Sequence, residues 1–141
     1  MKIMAVDLGK VRTGIAICDE NELLASPVAV IHEHNEERLL EKLGQLIVEQ
    51  QPKQLVVGLP KNMDGSEGES AKRCRAFAEK LQIHTGLAVA LYDERGTTVT
   101  AHSYLNVTDT RGKKRKAVVD AVAATVILQD YLHFRKNRRE I

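Results

Sequence analysis

Three strand-like segments fall within the first thirty-one residues with no helix-length gap between them, whereas each later strand-like segment is set off from the next by one. Short connections force antiparallel neighbours, and helical crossovers bring strands back in parallel. The chain is therefore expected to form an α/β fold on a mixed sheet. Lys2 to Leu8 is a near-continuous apolar run suited to a central strand. Thr13–Cys18 and Ala25–Ile31 follow, with Gly9, Gly14 and Asp19-Glu20-Asn21 as turn residues. Pro27 cannot donate to a ladder, so the third strand belongs at an edge.

Beyond it, Asn35 should cap a helix whose stripe is Leu39, Leu40, Leu43, Leu46 and Ile47, with Glu36 and Glu37 at its positive end and Pro52 beyond its close. Leu55–Leu59 reads as a buried strand. Ser66 and Glu69 have the spacing of a capping box for a second helix, with Ala71, Cys74, Phe77, Ala78 and Leu81 inward. Leu87–Tyr92 is a fifth strand. A short helix is expected from about Thr98, a basic loop over about 108–115, a long helix from Lys116 to about Phe134 and a basic tail over 135–141. Strands one, four and five then run parallel beside a three-stranded meander, with helices on both faces, in a single domain over 1–141. Ligands in such sheets gather beyond the carboxyl ends of the parallel strands, which puts Asp7-Leu8-Gly9, Pro60-Lys61-Asn62 and Asp93-Glu94-Arg95 on one rim.

Three acids stand out against this frame. Asp7 ends an apolar run, Glu94 follows the fifth strand, and Asp120 interrupts Ala117-Val118-Val119 and Ala121-Val122-Ala123-Ala124. A carboxylate in apolar surroundings needs a cation or a metal. On a helix Asp120 shares a stripe with Lys116, Ala123, Ala124 and Ile127, and the alanines allow close approach to the sheet. Singly, Asp7 reads equally as a turn residue, Glu94 as a loop acid and Asp120 as a partner of Lys116. Together they suit hard divalent ions, two Mg²⁺ or Mn²⁺ about 4 Å apart, which activate water and stabilise a leaving oxygen at a phosphodiester. Asp93 is the alternative to Glu94.

Net charge is only +2, yet residues 111–116 carry +5 and 135–140 carry +3, leaving −6 elsewhere. Such a bipolar molecule is drawn to a polyanion at two patches. Lys10, Arg12, Lys61, Arg95, Arg111, Lys113, Lys114, Arg115 and Lys116 are the candidate nucleic-acid contacts. Gly65 and Gly68, before a helix start, permit close backbone approach to phosphate or serve simply as turn residues. Aromatic residues make up 4% with no Trp, which argues against a base-stacking single-strand binder. His32 and His34 are expected at the surface, and no histidine has metal-ligand spacing. Cys18 and Cys74 fit apolar patterns as reduced core residues, and neither a secretory signal nor a membrane span is legible, which points to the cytoplasm.

Four ordered motifs resemble the YqgF (RuvX) family of ribonuclease-H-like proteins. They are Met4–Gly9 with Arg12–Ala16 and Asp19; Val57–Pro60 with Met63–Gly65; Tyr92–Arg95 with Thr97-Thr98; and Lys116 with Asp120, Ala123-Ala124 and Ile127–Gln129. The resemblance implies a ribonuclease-H-like five-stranded mixed sheet, and a nuclease maturing the 5′ end of pre-16S rRNA, alone or within a pre-ribosomal particle. It implies Asp7, Glu94 and Asp120 as the acidic positions. Holliday-junction resolution on branched DNA is the alternative activity, although Gly58-Leu59-Pro60 brings no acid to the fourth strand. A non-catalytic RNA- or ribosome-binding factor is a further alternative. An actin-like ATPase, which needs a second lobe, is the most distant one. A monomer or weak homodimer is expected.

Overall fold

The computed structural model describes residues 1–93 and 112–139, with side chains over 122–138 in the second stretch. Its elements are β1 (Ile3–Asp7), β2 (Arg12–Cys18), β3 (Ala25–His32), α1 (Glu36–Gln50), β4 (Gln54–Leu59), α2 (Glu69–Thr85), β5 (Ala88–Asp93) and α3 (Gly112–Arg139). The strands make one five-stranded sheet in the order β3-β2-β1-β4-β5. β1, β2 and β3 form the expected antiparallel meander, and β1, β4 and β5 run parallel. Pro27 lies in edge strand β3, where a register shift opposite Ile15 and Ala16 absorbs its missing donor.

Strand alternation sorts the core into two layers. Met4 and Val6 of β1, with Ile15, Leu55 and Val57, face Leu39 and Leu43 of α1 and Ala71, Cys74, Phe77 and Leu81 of α2. Ile3 and Ala5, with Ala16, Cys18 and Val56, face Ala124, Leu128, Tyr131 and Leu132 of α3. Alanines on both sides of this second layer let α3 lie close to the sheet. Cys18 and Cys74 are buried and unbridged.

Helix α1 begins as its sequence dictates: the Asn35 side chain accepts from the Arg38 amide at 3.1 Å. It ends at Gln51 in the left-handed region (φ 56°), immediately before Pro52. Helix α2 does not use the capping box. Gly68 is its N-cap with no side-chain bond, because Ser66 is already engaged, donating its amide and hydroxyl to Asp64 Oδ1 at 2.9 and 2.6 Å. A local turn has captured the serine two residues before the helix. The last helix starts at Gly112 and not at Lys116, so part of the expected basic loop is helical, and it continues through the expected basic tail to Arg139. Arg135 supplies a reason for the extension: its Nε donates to Glu22 Oε1 at 2.7 Å and its guanidinium lies 5.9 Å from the Tyr131 ring centroid. The helix expected near Thr98 lies outside the described residues. Among those described, no helix is long and apolar enough to cross a membrane.

Candidate active site at the sheet rim

The site begins with the register around Asp7, the last residue of β1. Asp7 pairs with Gly14 of β2. On the other side Val6 pairs with Val57, so the next step sets Gly58 beside Asp7. Gly14 is thus a strand residue and not the turn residue expected from sequence. Since Ile3 and Ala5 face α3, alternation turns Asp7, Gly14 and Gly58 to that face as well. A half-buried carboxylate therefore stands between two strand residues without side chains.

The connection after Asp7 is tight. A Cβ on Gly9 would collide with the Arg12 carbonyl, which fixes glycine there. The Gly9 amide donates to Oγ1 of fully buried Thr13 at 3.5 Å, and the Gly9 carbonyl accepts from Arg73 Nη2 at 3.1 Å. Thr13 and α2 lie on the opposite face from Asp7, so the turn is braced from behind. Arg73 was not legible as a functional residue. Its only sequence signal is a place beside the inward stripe Ala71, Cys74, Phe77.

On β5, Leu91 packs with the α1/α2 layer and Tyr92 with the α3 layer, where its ring lies 5.7 Å from that of Tyr131. Alternation then turns Asp93 to the α1/α2 face, away from that of Asp7. Burial, then Asp130 and Asp93, raises the Tyr92 phenol above its ordinary value.

Arg12 opens β2 on the face of Asp7, two residues from Gly14, while Lys10 is exposed in the turn. Lys61 and Glu67 form an antiparallel bridge at the base of a closed loop. Inside it Asn62 Nδ2 donates to Ser66 Oγ at 2.9 Å. Glu67 takes Arg75 through two bonds of 2.5 and 2.7 Å, which hold its carboxyl below the ordinary range. Glu94, Arg95 and Arg111 lie outside the described residues. So do the side chains of Asp120, Lys113, Lys114, Arg115 and Lys116, whose backbone belongs to α3. Among the described residues no three potential metal ligands come together.

Asp19, part of the sequence motif, is placed elsewhere. It caps the β2–β3 hairpin, accepting from the amides of Leu23, Leu24 and Asn21 at 2.8, 2.9 and 3.2 Å, bonds that lower its carboxyl from the ordinary value.

A family model for RuvX, described as Holliday junction resolvase, matches residues 1–134. A protein of Halothermothrix orenii named "Putative pre-16S rRNA nuclease" is 42% identical over 135 residues, covering 96% of each chain. One of the same name from Nitrosospira multiformis is 40% identical over 132 residues, 94% of this chain and 87% of its own. The fold is also similar to that of T. thermophilus RuvC in complex with a Holliday junction substrate, at a TM-score of 0.61, 13% identity and coverage of 97% and 96%. The fowlpox virus Holliday junction resolvase follows at 0.53, 15% identity and coverage of 95% and 99%. These likenesses identify the sheet and its helices as ribonuclease-H-like.

Proposed function

The chain belongs to the RuvX family, and from that premise we propose that it is a divalent-metal-dependent nuclease maturing the 5′ end of pre-16S rRNA. The observation that carries this reading is the Asp7 carboxylate at the strand end with glycine on either flank. A carboxylate is a hard oxygen donor of the kind that suits Mg²⁺ or Mn²⁺. Glu94 and Asp120 are the proposed co-ligands. The alternation of β5 turns Asp93 to the α1/α2 face, away from that of Asp7, which favours Glu94 over Asp93 as the proposed ligand.

The path of α3 supports Asp120. Gln129 Nε2 and Oε1 bond Leu23 O and Ala25 N at 3.1 and 3.0 Å, and Ala25 is level with Cys18 and, through it, Ile3. From Gln129 back to Asp120 is nine residues, about 13 Å of helix. From Ile3 on to Asp7 is four residues, about 13 Å of strand. These similar lengths support pairing Asp120 with Asp7, and by helical spacing Asp120 falls on the stripe of buried Ala123, Ala124 and Ile127.

Bound between these carboxylates, two divalent ions would supply a water acidic enough to attack phosphorus and charge to stabilise the departing oxygen. The chain's own work is to orient Asp7 through the braced Gly9 turn, and to hold backbone phosphates with Lys10, Arg12 and Lys61 and with the basic start of α3. The free buried cysteines suit a reducing cytoplasm, where ribosome precursors are processed.

Junction resolution is the second reading, favoured by the description of the matching family. Both are tested by offering purified protein a pre-16S leader and a four-way DNA junction side by side, with Mn²⁺ or EDTA. The proposal expects Mn²⁺-dependent cutting of the RNA. Cutting of the junction alone would transfer the activity to DNA, and EDTA-resistant cutting would remove the metal mechanism.

A further inference from the structure

Two arginines two residues apart on α2 are held in different ways. Arg75 is paired with Glu67 through a two-bond fork, so its charge is neutralised locally. Among the described residues Arg73, half-buried, gives a single hydrogen bond, to the neutral Gly9 carbonyl, and meets no carboxylate. Gly9 lies two residues beyond Asp7, so this guanidinium sits behind the rim. A guanidinium has five N–H donors in a planar fork, and one carbonyl uses one of them. The Gly9 turn, which Arg73 holds from the α2 side, follows directly on the strand end that carries Asp7.

We infer that Arg73 is a substrate-binding and positioning residue: it fixes the Gly9 turn with one N–H and takes a backbone phosphate flanking the scissile one with others. The nucleic-acid strand then crosses the rim from the Asp7 face toward α2. Phosphate binding and the orientation of Asp7 are coupled through one side chain. The location of the scissile phosphate rests on the nuclease reading above. The phosphate contact itself does not.

The test measures anisotropy of a fluorescein-labelled single-stranded RNA over a salt series in Ca²⁺, for wild type, Arg73→Ala, Arg73→Lys and Arg75→Ala, with thermal melts alongside. Each phosphate contact on a single strand contributes about 0.7 to the slope of log K against log salt. Arg73→Ala should lower the slope by about that amount, while Arg75→Ala, which removes an already paired charge, should leave it unchanged. Arg73→Lys should keep the slope yet turn over about tenfold more slowly at unchanged KM, because a point charge cannot serve carbonyl and phosphate together. A folded Arg73→Ala with the wild-type slope overturns the contact. Arg73→Lys with full kcat overturns the positioning, and this arm decides the matter should the alanine variant not fold. A wild-type protein that cuts no nucleic acid defeats the nuclease reading instead, and the slopes still decide the contact.

Discussion

The turn that joins β1 to β2 and the hairpin that joins β2 to β3 lie at opposite ends of the sheet, and each carries an aspartate of the sequence motif. Asp19 at the base turns its carboxylate into its own hairpin, where three backbone amides take it up. Asp7 at the rim is flanked by Gly14 and Gly58, which bring no side chain near it. The surroundings repeat the contrast. At the base Glu22 holds Arg135, Gln129 spans the hairpin, and Gln54 donates to the Tyr131 hydroxyl at 2.8 Å, so α3 is locked to β2, β3 and β4. At the rim Arg73, among the described residues, meets only a neutral carbonyl. The difference separates an aspartate that fastens its own hairpin from one that the proposed function makes a reagent: Asp19 is enclosed by backbone donors, whereas the strand positions beside Asp7 are glycines.

The sharpest way to break this comparison is Asp7→Asn, which keeps shape and removes charge. Cleavage should fall at least about a thousandfold, on the order of 4 kcal/mol in the barrier, with the melting temperature held or raised. A variant that still cuts at a tenth of the wild-type rate would make Asp7 a turn residue like any other. Leu128→Ala, in the layer that anchors α3, should lower stability by about 3 kcal/mol in urea titration. Its turnover at low temperature should stay close to wild type. Gly14→Ala adds a Cβ at the strand position paired with Asp7 and should slow cleavage about tenfold to a hundredfold with little change in melting. Unchanged kinetics would show that the glycine flank is incidental. Gln129→Ala strands the Ala25 amide and the Leu23 carbonyl and should cost about 1–2 kcal/mol, visible as a lower urea midpoint.

Asp19→Asn gives the smallest effect and reports through pH. Its carboxyl is depressed in the folded protein, chiefly by the Leu24 and Leu23 amides. The stability it provides is therefore present above the ordinary aspartate value of about 3.9 and is lost as pH falls through the folded value. The variant should be less stable at neutral pH and lose less on acidification, and parallel acid limbs would count against the cap.

The meander, the parallel pair and the strands' buried faces are legible in the sequence because alternation and turn residues act locally. Asn35 is legible for the same reason. Ser66 misled because Asp64, two residues before it, offers the hydroxyl and amide a nearer acceptor than a helix start. Gly14 misled because glycine signals a turn equally well whether it bends the chain or clears space for a neighbour, and only the register separates the two. The end of α3 ran past its apolar pattern because Arg135 answers to Glu22, which is 113 positions away in sequence. Asp7 could be picked out from its interrupted apolar run, whereas the bond from Arg73 to Gly9 spans 64 positions and leaves no periodic trace. Sequence alone gives Asp93 no face, and only the pleat of β5 turns it toward α1 and α2.

A crystal grown with Mn²⁺, phased at the manganese edge, tests the central claim most directly. The account predicts manganese within bonding distance of the Asp7 carboxylate, with Asp120 and Glu94 completing the ligand set on the α3 face. Asp7 and Asp120 too far apart to share an ion, or manganese bound only elsewhere, would contradict it.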